Sequence, residues 1–300
     1  MQPQRHSPAI AFLVGTLGIA TFAMMDATMK GLVVAMGTYA ALLWRMGAAA
    51  LLTTALFVRA PNRPAPDAMR VHLFRGVLSA GMAVLFFWGL GRVPLAQGVA
   101  LSFIAPLISL YLAAVFLGER IGPRTVLASL IAFGGVLLIF AGQARADLGR
   151  EALLGSLSIL ASAVCYAVNI ILMRRQAQLA GPVEAAFFQN LIVTAVLVSA
   201  WPLMGGAAWP TAGQWPFVLL AAVLSSASLL LLTWAYARAE ASYLSATEYT
   251  AFLWAALFGW IIFQEPLSPF TVAGTLLIVA GCILAARRAR DASPALEATV

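Results

Sequence analysis

Three residues carry charge where the surrounding sequence is apolar: Asp26 in "IATFAMMDATMKGLVV", Arg45 in "YAALLWRMGAAALLTTALF" and Glu248 in "LSATEYTAFLWAALF". An arginine offers a planar fork that grips a carboxylate at two points and never loses its proton. A carboxylate in the same setting accepts from an ammonium group or carries a proton itself. Both signs together suit a zwitterion, so a small amino acid is a natural ligand. Around them stand Trp44, Gln97, Ser102, Phe103, Tyr166, Asn169, Gln189, Asn190, Trp234 and Tyr249, which could hydrogen-bond to a bound solute or line an apolar wall.

Each residue also has a plainer reading. Arg45 could snorkel to a membrane surface along its own stem. Asp26 could pair with Lys30 at i+4 on one helix face, or neutralise Arg45. Glu248, expected about a third of the way into its segment, could be a protonated carboxyl bonded between helices. Trp44, Trp88, Phe103, Tyr166, Trp234 and Tyr249 could be simple packing. Gln189 and Asn190, in "FFQNL" on the pseudo-equivalent seventh segment, are expected at matching depth to Arg45. Glu119 and Glu265 each precede a helix led by proline, Pro123 or Pro269, where capping is the expected role.

The elements that must position these groups are written in the composition. The chain of 300 residues is 62% hydrophobic and 10% charged, with mean hydropathy +0.94. Soluble domains are about 25% charged, and a soluble protein could not hide this much apolar surface. About 20 apolar residues cross the hydrocarbon core as a helix. Ten such segments are legible: 8–29, 37–58, 71–91, 94–117, 123–142, 152–173, 183–205, 214–237, 242–263 and 269–287. The runs are continuously apolar, which favours helices over the alternating strands of a membrane barrel. The expected fold is an all-α integral membrane protein with ten transmembrane helices.

The net charge of +7 is no nucleic-acid signal, because of where the charge falls. With the N-terminus cytoplasmic, thirteen basic residues fall on the cytoplasmic side and four outside, and Arg45 is left within a span. That bias puts both termini in the cytoplasm. Arg5 before an apolar run resembles a signal peptide, but the run is long and the cleavage signal poor. Cys165 and Cys282 lie in separate spans and indicate neither a disulfide framework nor a metal site. His6 and His72 sit at the cytoplasmic edge, with no ligand partner expected nearby.

The chain also repeats itself. Residues 77–142 align without a gap onto 223–288 at an offset of 146, and sixteen of the sixty-six positions are identical. The shared residues include Ser79 with Ser225, Trp88 with Trp234, Arg92 with Arg238, Glu119 with Glu265, Pro123 with Pro269 and Gly135 with Gly281. A weaker match sets Gly15 on Gly155. Five helices per repeat, an odd number, would insert the second copy upside down, a recurring plan of transporters. The expected domains are residues 8–142 and 152–288, around a central cavity, with a disordered cytoplasmic tail over 289–300. Pro106, midway along the fourth segment, is expected to kink it and free a backbone carbonyl.

Three stretches carry a family resemblance: "LLWRMGAAALL", "APLISLYLAAVFLGERIGPRTVLASLIAFGGVLLIF" and its counterpart "EYTAFLWAALFGWIIFQEPLSPFTVAGTLLIVAG". With ten helices as five plus five, they resemble the drug/metabolite transporter superfamily with its EamA-type domain. The overall look is similar to bacterial amino-acid exporters, including the aromatic amino-acid branch. The resemblance implies helices one to four and six to nine around the cavity, with five and ten outside. It implies a carrier in the inner membrane that moves small metabolites, most simply amino acids, outward by alternating access. The expected partners are a small-molecule substrate and the lipid bilayer, with no nucleic acid, no cofactor and a monomeric chain. An importer or efflux carrier for another solute, such as a vitamin or organic cation, remains open. So does a membrane enzyme on lipid-linked substrates, although no nucleotide loop, metal cluster or nucleophile–base pair stands out.

Overall fold

A computed structural model describes residues 8–59, 61, 63–117, 123–145, 149–236, 244 and 247–291. Among these residues regular structure is helical throughout. The helices are α1 (Pro8–Met36), α2 (Thr38–Phe57), α3 (Pro66–Leu90), α4 (Leu95–Ser102), α5 (Ala105–Leu117), α6 (Pro123–Arg145), α7 (Gly149–Leu179), α8 (Pro182–Ser199), α9 (Trp215–Tyr236), α10 (Thr250–Phe263) and α11 (Pro269–Asp291). Proline opens α1, α3, α6, α8 and α11, where its missing N–H costs nothing and its fixed φ suits the first turn. Among the described residues, six helices are long and apolar enough to cross a membrane, and four further apolar stretches are shorter. Glu119, Arg238 and residues 292–300 of the tail lie outside the described residues.

Two of the ten expected segments are interrupted. The fourth divides into α4 and α5 at Phe103–Ile104. There Phe103 N–H bonds to Ala100 O and Ile104 N–H to Leu101 O, the tighter i→i−3 pattern. Pro106 follows as the second residue of α5, so the break sits where proline cannot donate to the turn before it. The carbonyl of Phe103 accepts from the Cys282 thiol of α11, 3.2 Å away. In the ninth segment, Tyr249 is a turn residue before α10 begins at Thr250. At the offset of 146, Phe103 corresponds to Tyr249, so each copy of the repeat breaks at the same position.

The chain divides into two compact units, each drawn from both ends of the sequence. The first comprises Met1–Ala80 and Leu179–Pro266, the second Gly81–Gln178 and Leu267–Val300; α3 begins in one and ends in the other.

In the first unit α1 packs on α2, α9 and α10, and α2 on α8 and α9. The Ser228 hydroxyl of α9 donates to the Gly18 carbonyl at 2.8 Å. A Cβ on Gly18 would meet Leu232 at 2.9 Å, so glycine here allows the close approach that small residues give helices in lipid. α2 and α8 run antiparallel. Tyr39 donates to the Leu197 carbonyl at 2.6 Å at one end, and Phe57 stacks on Phe187 at 4.3 Å at the other.

In the second unit the main contact is α6 against α11. A Cβ on Gly135 would fall 2.5 Å from the Gly274 carbonyl oxygen, and one on Gly281 would fall 2.5 Å from that of Ala128. Adding 146 takes Ala128 to Gly274 and Gly135 to Gly281, so the repeat offset maps one contact onto the other. Gln97 donates to the Ser156 hydroxyl at 3.1 Å. Ser158 and Ser162 of α7 donate to the carbonyls of Leu85 and Met82.

Candidate functional site

Asp26 and Arg45 are both buried, at 3% and 9% exposure. Their opposite charges act on one another. Lys30 instead forms an ion pair with Glu265 and lies 5.2 Å from the centre of the Phe263 ring. The expected Asp26–Lys30 surface pair is therefore replaced by the cross-helix Lys30–Glu265 pair. The reason is local: α10 ends beside α1, with Gln264 in the left-handed region at φ 56°. Glu265 N–H bonds back to Gly259 O and Gln264 N–H to Trp260 O, the latter being the 5→1 bond of a left-handed helix end. That end leaves the Glu265 carboxylate to reach Lys30, a contact beyond the expected capping role.

Trp44 precedes Arg45 but points elsewhere, since neighbours on a helix diverge by about 100°. Its indole N–H donates to the Ala208 carbonyl at 2.9 Å. Its ring lies 4.3 Å from Trp209 and 5.6 Å from Trp215, centre to centre. Trp44 thereby fastens the segment after α8 to α2.

Gln189 and Asn190 are half-buried on α8, just past Phe187 and Phe188, which contact Phe57.

Glu248 is exposed and Tyr249 half-buried; the carboxylate is not the buried group expected. Thr247, its neighbour, is fully buried and comes within 3.5 Å of a Cβ built on Gly15. Trp234 is half-buried on α9. Phe103 and Tyr166 belong to the second unit, the first at the α4–α5 break and the second 42% exposed on α7. Asn169 is buried there. Trp88 is covered by the Arg92 guanidinium at 3.6 Å, and Arg92 Nε donates to Glu151 at 2.8 Å.

His72 was expected to lack a partner. It is fully buried, its Nε2 lies 3.1 Å from Glu184 Oε1, and its ring stacks on Phe188 at 4.8 Å. Nothing in the sequence near His72 signals this, because Glu184 is 112 residues away.

Among the described residues, the buried side-chain atoms with no hydrogen-bond partner include five: Thr16 Oγ1, Asp26 Oδ1, Ser79 Oγ, Gln189 Oε1 and Trp254 Nε1. All five belong to the first unit. Such atoms cost about 1–3 kcal/mol each, and each one in a native structure calls for an explanation. Ser79 had a sequence signal in its repeat match with Ser225. Thr16 and Trp254 had none beyond a polar atom in an apolar run.

Residues 9–141 and 153–287 each match the family described as the EamA-like transporter family. The chain belongs to the EamA-like transporter family. It is thus a multi-pass membrane transporter and not an enzyme, with a small-molecule substrate and a lipid environment.

Three curated relatives illustrate the range. The chain is 27% identical over 282 residues to the pseudopaline exporter CntI of Pseudomonas aeruginosa, covering 92% of this chain and 95% of the relative. It is 29% identical over 227 residues to a riboflavin transporter of Rhizobium johnstonii, covering 75% and 73%. It is 29% identical over 247 residues to a probable terminal-alkyne amino-acid exporter of Streptantibioticus cattleyicolor, covering 80% of each. A solved crystal structure superposes with TM-score 0.62 at 21% identity, covering 95% of this chain and 99% of that one. At that identity the likeness shows a shared fold alone.

Proposed function

We propose that this EamA-family chain is a secondary carrier that exports small zwitterionic metabolites, amino acids first, across the inner membrane by alternating access. The observation that carries the reading is the burial of Asp26 and Arg45 in one unit, with the unpartnered polar atoms named above in the same unit. An arginine and a carboxylate match the two ends of an amino acid in sign. Serine, threonine, glutamine and indole groups supply neutral donors and acceptors. Substrate binding is assigned to Arg45, Asp26, Gln189, Asn190, Trp234, Glu248 and Tyr249, with Trp44 fastening the Trp209 segment beside them. Phe103 and Tyr166 are assigned as the second unit's lining residues.

Alternating access is supported by the repeat. The Gly135–Gly274 contact maps onto Gly281–Ala128, and the breaks at Phe103 and Tyr249 are repeat counterparts. Ten spans, inverted copies over 8–142 and 152–288, and cytoplasmic termini complete the proposal. Export is favoured over uptake because the relatives CntI and the alkyne amino-acid protein are named exporters. A vitamin carrier is the second reading, favoured by the relative named for riboflavin.

Counterflow in liposomes tests the substrate class. Vesicles holding the purified chain and preloaded with an unlabelled amino-acid mixture should accumulate labelled amino acids. Accumulation of labelled riboflavin instead, with none of any amino acid, would favour the second reading and sink the first.

A further inference from the structure

On α1 one large apolar side chain is open where its neighbours on the same face are covered. Phe22 is 44% exposed. Gly15, Gly18 and Ile19 before it, and Met25, Asp26 and Met29 after it, are all buried. These positions lie three, four and seven residues away and share its face of the helix. The outward face of α1 is elsewhere. Leu13 and Leu17 are 67% and 56% exposed, and they lie about 180° and 140° round the axis from Phe22. Two contacts fix the inward direction. A Cβ on Gly18 would meet Leu231 and Leu232 of α9, and one on Gly15 would meet Leu244 and Thr247, which lead into α10. Phe22 projects between these two directions, so its open ring faces space left within the helices and not the lipid.

Apolar surface gains free energy by leaving water, so an inward ring left open suits an apolar partner. What stands beside it says which part of a ligand that partner is. Asp26 follows Phe22 by one turn, about 6 Å along the axis. It is buried, and its Oδ1 has no hydrogen-bond partner. Arg45 is buried as well, and its charge acts on Asp26. One turn further along α1, Lys30 and Glu265 form an ion pair. A zwitterion whose charged end is held at Asp26 and Arg45 therefore has an ion pair on one side and the Phe22 ring on the other. Its apolar part fits only toward Phe22.

We infer that Phe22 is a specificity-determining residue, the wall against which the substrate's side chain packs. The substrates it selects are amino acids with an uncharged apolar side chain long enough to span one helical turn, such as leucine, methionine and phenylalanine. The inference deepens the amino-acid reading given above and rests on it. Glycine and alanine leave the ring open. Glutamate and lysine would bring a second charge against it and lose hydration without a partner.

The test is counterflow in liposomes carrying the full chain, with leucine, alanine, glycine, glutamate and lysine compared by KM. Wild type should take leucine with a KM at least about tenfold below that of alanine, the scale on which apolar pockets discriminate. Phe22→Ala should raise the KM for leucine at least about tenfold and leave alanine and glycine within about twofold. Phe22→Leu should keep most of the preference. Equal losses for every amino acid in Phe22→Ala would make the ring a packing residue only, and would overturn the inference. A second arm reads the open space without transport. Phe22→Cys and Leu17→Cys are treated with N-ethylmaleimide, and modification at each position is read by mass spectrometry. Maleimide needs the thiolate, which forms in water and not in lipid. Position 22 should therefore react at least about tenfold faster than position 17, and leucine should slow it while glycine does not. A silent position 22 overturns the inference even if Phe22→Ala misfolds. Wild type that carries amino acids without distinguishing leucine from alanine sinks the wall alone. Wild type that carries no amino acid sinks the amino-acid reading and the wall with it.

Discussion

The first unit buries Asp26, Lys30, Arg45, His72 and Glu184, whereas the buried polar residues described in the second are Gln97, Ser156, Ser162, Asn169, Gln176, Thr271 and Thr275, all neutral. The unpartnered atoms follow the charges: all five discussed above belong to the first unit. In the second unit, by contrast, hydroxyls and a thiol find carbonyls, and α6 meets α11 at glycines too close for a Cβ. Charges within a membrane protein cost several kcal/mol and persist where function needs them. Small-residue packing with satisfied hydrogen bonds is what holds membrane helices together. The contrast supports the proposal that substrate chemistry is concentrated in the first unit.

The contrast can be broken most sharply at Arg45. Arg45→Ala leaves Asp26 buried without its cation and should cost about 3–5 kcal/mol of stability. Asp26→Asn in the same chain should recover much of that loss. A thermal or denaturant unfolding series on the two variants measures it, and equal stability of single and double variants would separate the two residues.

In the second unit the largest effect should come from Gly135→Ala. Its methyl would meet a backbone oxygen that cannot move aside, so overpacking of about 1–3 kcal/mol is expected. Transport per folded molecule should be unchanged. A loss of transport with normal stability would show that the second unit does more than cohere. Ser162→Ala removes one hydrogen bond to Met82 and should cost about 0.5–1.5 kcal/mol, again with transport intact.

Much of this architecture was legible beforehand. Hydropathy marked the apolar segments, prolines marked helix starts, and the repeat marked Gly135 and Gly281 as counterparts. Pro106 signalled the break at Phe103. Long-range pairing was not legible. Lys30 had Asp26 one turn away, and only the left-handed end of α10 delivered Glu265 to it from 235 residues on. Glu248 was expected inside a continuous helix, and the break at Tyr249 lets it lie exposed.

The smallest expected effect concerns that left-handed end. Gln264 adopts φ 56° with a Cβ, a conformation glycine takes without penalty. Gln264→Gly should raise stability by about 0.5–1 kcal/mol while leaving the Lys30–Glu265 pair in place. A drop in stability would mean that the glutamine side chain contributes more than its backbone costs.

The central claim is that the charge pair of the first unit binds the carboxylate of a zwitterionic substrate through Arg45. Counterflow of free and carboxyl-amidated amino acids into liposomes carrying wild type, Arg45→Lys and Arg45→Ala tests it most directly. The account predicts that wild type prefers free amino acids and that lysine weakens their transport in part. Alanine should weaken it by about 1.5–3 kcal/mol, the worth of a charge-assisted contact, and amidated forms should lose little further. Equal losses for free and amidated substrates, or undiminished transport in the alanine variant, would contradict it.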